Sequence, residues 1–156
     1  MLKLFVSHSS RLDDVDGSGL SLEHNWRLLR ETCEAIEEKY GEQVKILVDY
    51  AGLTPGEDWN HRLNLWLADC EAAIILFSQR ALKQSRWVEK EATILSWRAE
   101  LDPDFTLIPV TLKGQTTAED LSKELDGVLK IDVQQCIRDA ETAIDIVDEL
   151  VKRWNK

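Results

Sequence analysis

The residues in this chain best suited to chemistry are Trp87 and Glu91, an indole and a carboxylate four positions apart in the segment Ser85-Arg86-Trp87-Val88-Glu89-Lys90-Glu91. On a helix that spacing puts both side chains on one face. A carboxylate beside a flat aromatic surface suits reactions in which a sugar carbon becomes cationic. The anion steadies an oxocarbenium-like centre and holds ribose hydroxyls, and the ring stacks on a base. The same spacing also describes a core tryptophan beside a solvated glutamate, and periodicity alone leaves both readings open.

Other chemical kits are missing. No glycine-rich turn ends in Lys-Ser/Thr, as a phosphate-binding P-loop requires, and Gly17-Ser18-Gly19 follows an acidic loop rather than a strand. A phosphoacceptor receiver would end its first strand on an acidic pair and its third on aspartate, where this chain has Ser7-His8 and Ser78. His8, His24 and His61 lack metal-ligand spacing, so no metal site is expected, and there is no G-x-S-x-G elbow.

The elements that must position the Trp87/Glu91 pair show in the apolar pattern. Ile46 to Val48 read as a strand ending at Asp49, followed by a Gly/Pro-punctuated loop from Tyr50 to Gly56. A helical stripe from Trp59 (Leu63, Trp66, Leu67, Cys70) leads into the apolar strand Ala72 to Phe77. Ser78 ends that strand. Ser85 is placed to cap a helix that starts at Arg86 and continues through Ile94, Leu95 and Trp97 to Asp102-Pro103. Upstream, Leu2 to Val6 form a first strand that breaks at Ser7-His8-Ser9-Ser10, and a polar acidic loop precedes a helix running from Leu22 to Tyr40, stopped by Gly41. Downstream, Phe105 to Leu112 is a strand whose Pro109 is expected near an end or edge of the sheet. Thr116 to Leu125 reads as a short helix and Val128 to Ile131 as the final strand. A last helix carries Ile137, Ala140, Ile144, Val147, Val151 and Trp154 on one face, with Asp139 and Glu141 near its start and Lys152 and Arg153 near its end.

Five strands alternating with helices predict an α/β fold: a flavodoxin-like, five-stranded parallel sheet with helices on both faces. Ligands in such sheets sit beyond the carboxyl ends of the strands. That edge gathers Ser7 to Ser10, Asp49 and Tyr50, Ser78 and Gln79, and Thr111 to Lys113, with Glu91 on the helix that rises from Ser78.

At 156 residues and 44% apolar composition, the chain has the size and core of one domain, residues 1–156. Both ends read as the edges of a fold, which allows the domain to be cut from a longer protein. A formal charge of -10 repels polyanions and argues against direct nucleic-acid binding. Cys33, Cys70 and Cys136, odd in number and widely spaced, fit reduced thiols in a cytoplasmic protein. No apolar run reaches the roughly 18 residues of a membrane helix, and the N-terminus lacks a signal-peptide cleavage pattern.

Taken in order, five segments resemble a Toll/interleukin-1 receptor (TIR) domain of the bacterial kind: Phe5-Val6-Ser7-His8-Ser9-Ser10, Asp49 to Trp59, Ala73 to Ser78, Ser85 to Glu91, and Leu107-Ile108-Pro109-Val110. The resemblance implies a flavodoxin-like domain with one of two roles. One is an enzyme that cleaves NAD+ between nicotinamide and ribose, giving ADP-ribose or a cyclised form. As such it would be the effector of a bacterial defence or signalling system, active when copies associate. The other is a non-catalytic adaptor joined to other TIR domains through the loop at Tyr50 to Gly56, called the BB loop. Fold analogy alone adds a third, a nucleoside-transferring relative. In the enzymatic role the family's catalytic glutamate falls on Glu91, and Ser7, His8, Tyr50, Trp87 and Thr111 fall on substrate-binding positions. NAD+ is then the substrate, and no cofactor is implied. Two positions depart from the family's usual pattern: Val88, where cysteine is frequent, and Thr111, where an aromatic is frequent.

Overall fold

Short apolar runs separated by amphipathic segments commit this chain to strands that need cover on both faces. The computed structural model describes residues 2–7, 19–48, 59–77, 86–114, 116–124 and 136–154, with the backbone alone at 19–26, 59–63, 86–90, 122, 124 and 154. In chain order the elements are β1 (Leu2–Ser7), α1 (Gly19–Tyr40), a short 3-10 turn (Gly41–Gln43), β2 (Val44–Leu47), α2 (Trp59–Asp69), β3 (Ala72–Phe77), α3 (Arg86–Leu101), β4 (Thr106–Leu112), α4 (Ala118–Glu124), β5 (Ile137–Ala140) and α5 (Ala143–Trp154). All strand pairs are parallel, in the order β2-β1-β3-β4-β5. This is the flavodoxin-like arrangement expected from the sequence.

The chain steps one way from β1 to β2 and the other way from β2 to β3. With right-handed crossovers, that reversal puts α1 on one face and α2, α3 and α4 on the opposite face. Two apolar clusters follow. Leu4, Val6, Ile74, Leu76, Ile108 and Val110 pack beneath α1 and α5, whereas Phe5, Ala73, Ile75 and Phe77 pack beneath α2, α3 and α4. Strand side chains alternate between faces, so Ser7 shares the parity of Phe5 and β1 delivers its hydroxyl to the α3 side. The three cysteines are buried thiols outside any disulfide. Gly41 ends α1 at φ +56, a conformation glycine adopts without strain. No helix among the described residues is long and apolar enough to cross a membrane.

The C-terminal third differs from the sequence expectation. The strand expected at Val128–Ile131 lies outside the described residues, and Ile137 and Ala140, expected on the last helix, belong to β5. Val110 pairs with Ile137 and Leu112 with Ala140, which leaves Arg138 and Asp139 opposite the single residue Thr111. This bulge spaces the buried residues of β5 by three and so imitates a helical period. Asp139 takes φ +56, a left-handed conformation that aspartate tolerates better than most residues. Its N–H donates to Thr111 Oγ1 at 3.1 Å.

Helix α5 therefore starts at Ala143, and its inward stripe is Ala143, Ile146, Val147 and Leu150, while Ile144 is 68% exposed. Its start is set by a capping box. Asp145 Oδ2 accepts the N–H groups of Glu141 and Thr142 at 3.0 and 3.1 Å, and Thr142 Oγ1 accepts that of Asp145 at 3.4 Å. Asp139 and Glu141 precede the helix, and Asp145 is the acidic residue of its first turn. Pro109 is also placed differently, in the middle of an inner strand opposite Ile75. The β5 ladder begins only at Val110, so at Pro109 the β5 side of the strand is locally an edge. On α3, Trp97 points outward and is 63% exposed, while Ala92 and Leu95 face the core.

Thr111→Val leaves the part-buried N–H of Asp139 without its Thr111 acceptor and should cost about 0.5–1.5 kcal/mol in chemical denaturation, while Asp139→Gly, which relieves the left-handed backbone, should be neutral or stabilising. A neutral Thr111→Val would contradict the bulge's hydrogen bond. The Asp145 carboxyl is held below the usual aspartate range by the N–H of Glu141 and then that of Thr142. A carboxyl lowered on folding contributes stability that is complete above its unfolded pKa and is lost as pH falls through the folded value. Asp145→Asn should therefore flatten the fall of Tm below about pH 4, and parallel Tm profiles for variant and wild type would contradict this.

Candidate active site

Strands β1 and β3 lie side by side where the chain reverses its direction across the sheet. The crevice beyond their carboxyl ends is thus the switch point at which open α/β sheets bind ligands. Two polar side chains meet there. Ser7, the last residue of β1, opposes Ile75 of β3 and is 1% exposed. Glu91, on the second turn of α3, is 7% exposed and accepts a hydrogen bond at Oε2 from Ser7 Oγ, across 84 positions of sequence. The contact follows from two local rules: strand parity turns Ser7 toward α3, and the helical period that buries Ala92 and Leu95 turns Glu91 inward.

A carboxylate taken out of water keeps its charge only when polar groups replace its solvation. A hydroxyl donating to a carboxylate oxygen supplies part of that replacement. Ser7 thus holds one oxygen of Glu91 in a fixed direction. In its ionised form, a carboxyl group so fixed and desolvated is suited to steady positive charge developing on a substrate.

Between β3 and β4 the rim is filled by Thr116, which the sequence pattern places at the start of a short helix and the structure places two residues before it. Its Oγ1 donates to the Phe77 carbonyl at 2.6 Å and accepts the Leu112 N–H at 3.3 Å, and the residue is 3% exposed. The signal lay in the next residue. Thr117 and Asp120 exchange N–H hydrogen bonds at 3.0 and 3.1 Å as the capping box of α4, which places Thr116 directly at the rim.

Of the six site residues read from sequence, the structure brings Ser7 and Glu91 into contact. Thr111 is fully buried with its hydroxyl engaged by the Asp139 N–H. That contact makes it a support of the β4/β5 bulge. His8 and Tyr50 lie outside the described residues, as do Asp49, Ser78, Gln79 and Ser85. Trp87 is described by its backbone alone, one helical turn before Glu91.

A groove of about 560 Å³ runs between β5 and α5, on the far side of β3 and β4 from Ser7. Five carboxylates line it (Asp139, Glu141, Asp145, Asp148, Glu149) against Arg138 and Lys152, a poor setting for a pyrophosphate. Among the described residues, no three His, Cys, Asp or Glu side chains gather to hold a metal ion.

Comparison with known proteins agrees with the fold. The chain is similar in structure to the TIR domains of the activated Roq1 resistosome, which directly recognises the pathogen effector XopQ. The TM-score is 0.57 at 17% sequence identity, covering 99% of this chain and 79% of that one. At that identity the likeness shows the fold alone. No curated protein gives a significant match. The family profile described as TIR domain matches residues 22–150, which include most of α1, helix α3 with Glu91, and most of α5. The chain belongs to the TIR domain family.

Proposed function

We propose that this TIR domain cleaves NAD+ between nicotinamide and ribose, with Glu91 as the catalytic residue. One observation carries the reading: a buried glutamate at the β1/β3 switch point, fixed by the Ser7 hydroxyl.

The chemistry asks little more of the protein. The C1′–N bond breaks, its electron pair leaves with nicotinamide, and the departing molecule is neutral, so no general acid is required. Positive charge develops on C1′ and the ring oxygen, and the Glu91 carboxylate steadies it and holds the ribose hydroxyls. Water then adds to C1′ and releases a proton, giving ADP-ribose, or an adenine nitrogen of the same molecule takes its place and gives a cyclised product. Ser7 keeps Glu91 aimed, and His8, Tyr50 and Trp87 complete the pocket, with the indole stacking on a flat ring of the substrate.

The activity belongs to an effector of a bacterial defence or signalling system, working in the cytoplasm when copies associate through the loop at 50–56. TIR domains self-associate, and the similar structure is that of an activated resistosome. Trp97 and Leu101, four apart on α3 and 63% and 79% exposed, give association additional apolar surface.

The test incubates concentrated protein with NAD+ and measures nicotinamide release beside Glu91→Gln. The wild type should release nicotinamide, and the variant should lose at least about a hundredfold in rate while keeping its fold. An assembled sample, verified by light scattering, that releases none would make the domain an adaptor. A variant as fast as the wild type would show that the carboxylate of Glu91 takes no part.

A further inference from the structure

Helix α3 carries a further polar side chain turned inward, part-buried and seven residues after Glu91. Arg98 Nη1 donates to the Leu67 carbonyl at 2.9 Å and the Cys70 carbonyl at 2.5 Å, and lies 3.2 Å from Cys70 Sγ. Its guanidinium also stacks on the Phe105 ring, 4.3 Å from the centroid. These carbonyls form the C-terminus of α2. The N–H of Glu71, which would have closed the next helical turn on Leu67, donates instead to the Lys3 carbonyl at 2.8 Å. Arg98 therefore replaces the missing donor and places a cation where the helix dipole favours one.

The placement bears on Glu91. Seven residues are about two turns, or roughly 10 Å of helix, so Glu91 and Arg98 lie on the same side of α3 with Leu95 between them. The apolar contacts of Ala92 and Leu95 hold α3 against the sheet but are non-directional and tolerate small slides and rotations. Directional contacts do not. Glu91 to Ser7 ties one end of this face to β1, and Arg98 to Leu67 and Cys70 ties the other end to α2.

We propose that Arg98 is a positioning residue: by clamping α3 to the C-terminus of α2 and the Phe105 ring, it sets the axial position and rotation at which Glu91 meets Ser7. The inference rests on Glu91 as the catalytic residue, and it adds a dependence of that residue on a contact two turns away.

The experiment pairs Arg98→Met, which keeps the aliphatic stem but removes the donors, with Arg98→Lys, which restores a cation without the fork. Two quantities are read well below each variant's Tm: the carboxyl ¹³C resonance of Glu91, assigned with Glu91→Gln, and the kcat and KM of nicotinamide release. Arg98→Met should move the resonance and lower kcat roughly ten- to a hundredfold with KM within about twofold, and Arg98→Lys should recover part of both. A resonance and kcat unchanged in Arg98→Met would overturn the proposal. Should that variant not fold, Phe105→Leu, which removes the ring beneath the guanidinium, is held to the same two outcomes. If assembled wild-type protein releases no nicotinamide, the assignment of Glu91 has failed, and the resonance alone then decides whether Arg98 positions it.

Discussion

A carboxylate removed from water must find a fixed polar partner or give up its charge, and in this chain that requirement falls on Glu91. Its partner, the Ser7 hydroxyl, is supplied by a strand 84 positions earlier. Much of the architecture can be read as what makes the meeting occur. β1 must end at the switch point, with Ser7 on the same side as Phe5. The chain must cross from β2 over β1 to β3, so that α3 descends on that side. Helix α3 must then sit at one rotation, with Ala92 and Leu95 in the core and Arg98 on the end of α2.

The carboxyl rim is built unevenly, and the unevenness directs where a ligand fits. Between β3 and β4 the Thr116 hydroxyl bridges the Phe77 carbonyl and the Leu112 N–H. Between β4 and β5 the bulge at Arg138 and Asp139 is held by Thr111. Both junctions spend their polar groups on the protein itself. At the β1/β3 junction, by contrast, the buried carboxyl group of Glu91 stands at the rim, joined to Ser7. The groove on the far edge is acidic, so a molecule bearing two phosphates is repelled there.

How much of this was legible in the sequence depended on whether one physical signal dominated each segment. The stripe of α1, the apolar run of β3 and the start of α3 were legible because burial alone sets their pattern. β5 was not. Its bulge separates Ile137 from Ala140 by the spacing of a helical turn, and a left-handed aspartate cannot be recognised from composition. Ile144 misled for a related reason: once the cap at Thr142 and Asp145 fixes the start of α5, the inward stripe runs through Ala143, Ile146 and Leu150. At the rim, the placement of Ser7 at the end of the first strand and of Glu91 on the helix after β3 was legible from the apolar pattern. Their direct contact, and the ties made by Thr116 and Arg98, join residues far apart in sequence and leave no periodic trace.

The central claim is one of location: the nicotinamide ribose of NAD+ sits against Glu91 at the β1/β3 crevice. The most direct measurement is a crystal structure of the Glu91→Gln protein with NAD+ bound. The account predicts the ribose hydroxyls within hydrogen-bonding distance of the side chain at position 91 and C1′ on the Ser7 side of the crevice. A dinucleotide lodged in the β5/α5 groove, or anywhere that leaves position 91 out of reach of the ribose, would contradict it.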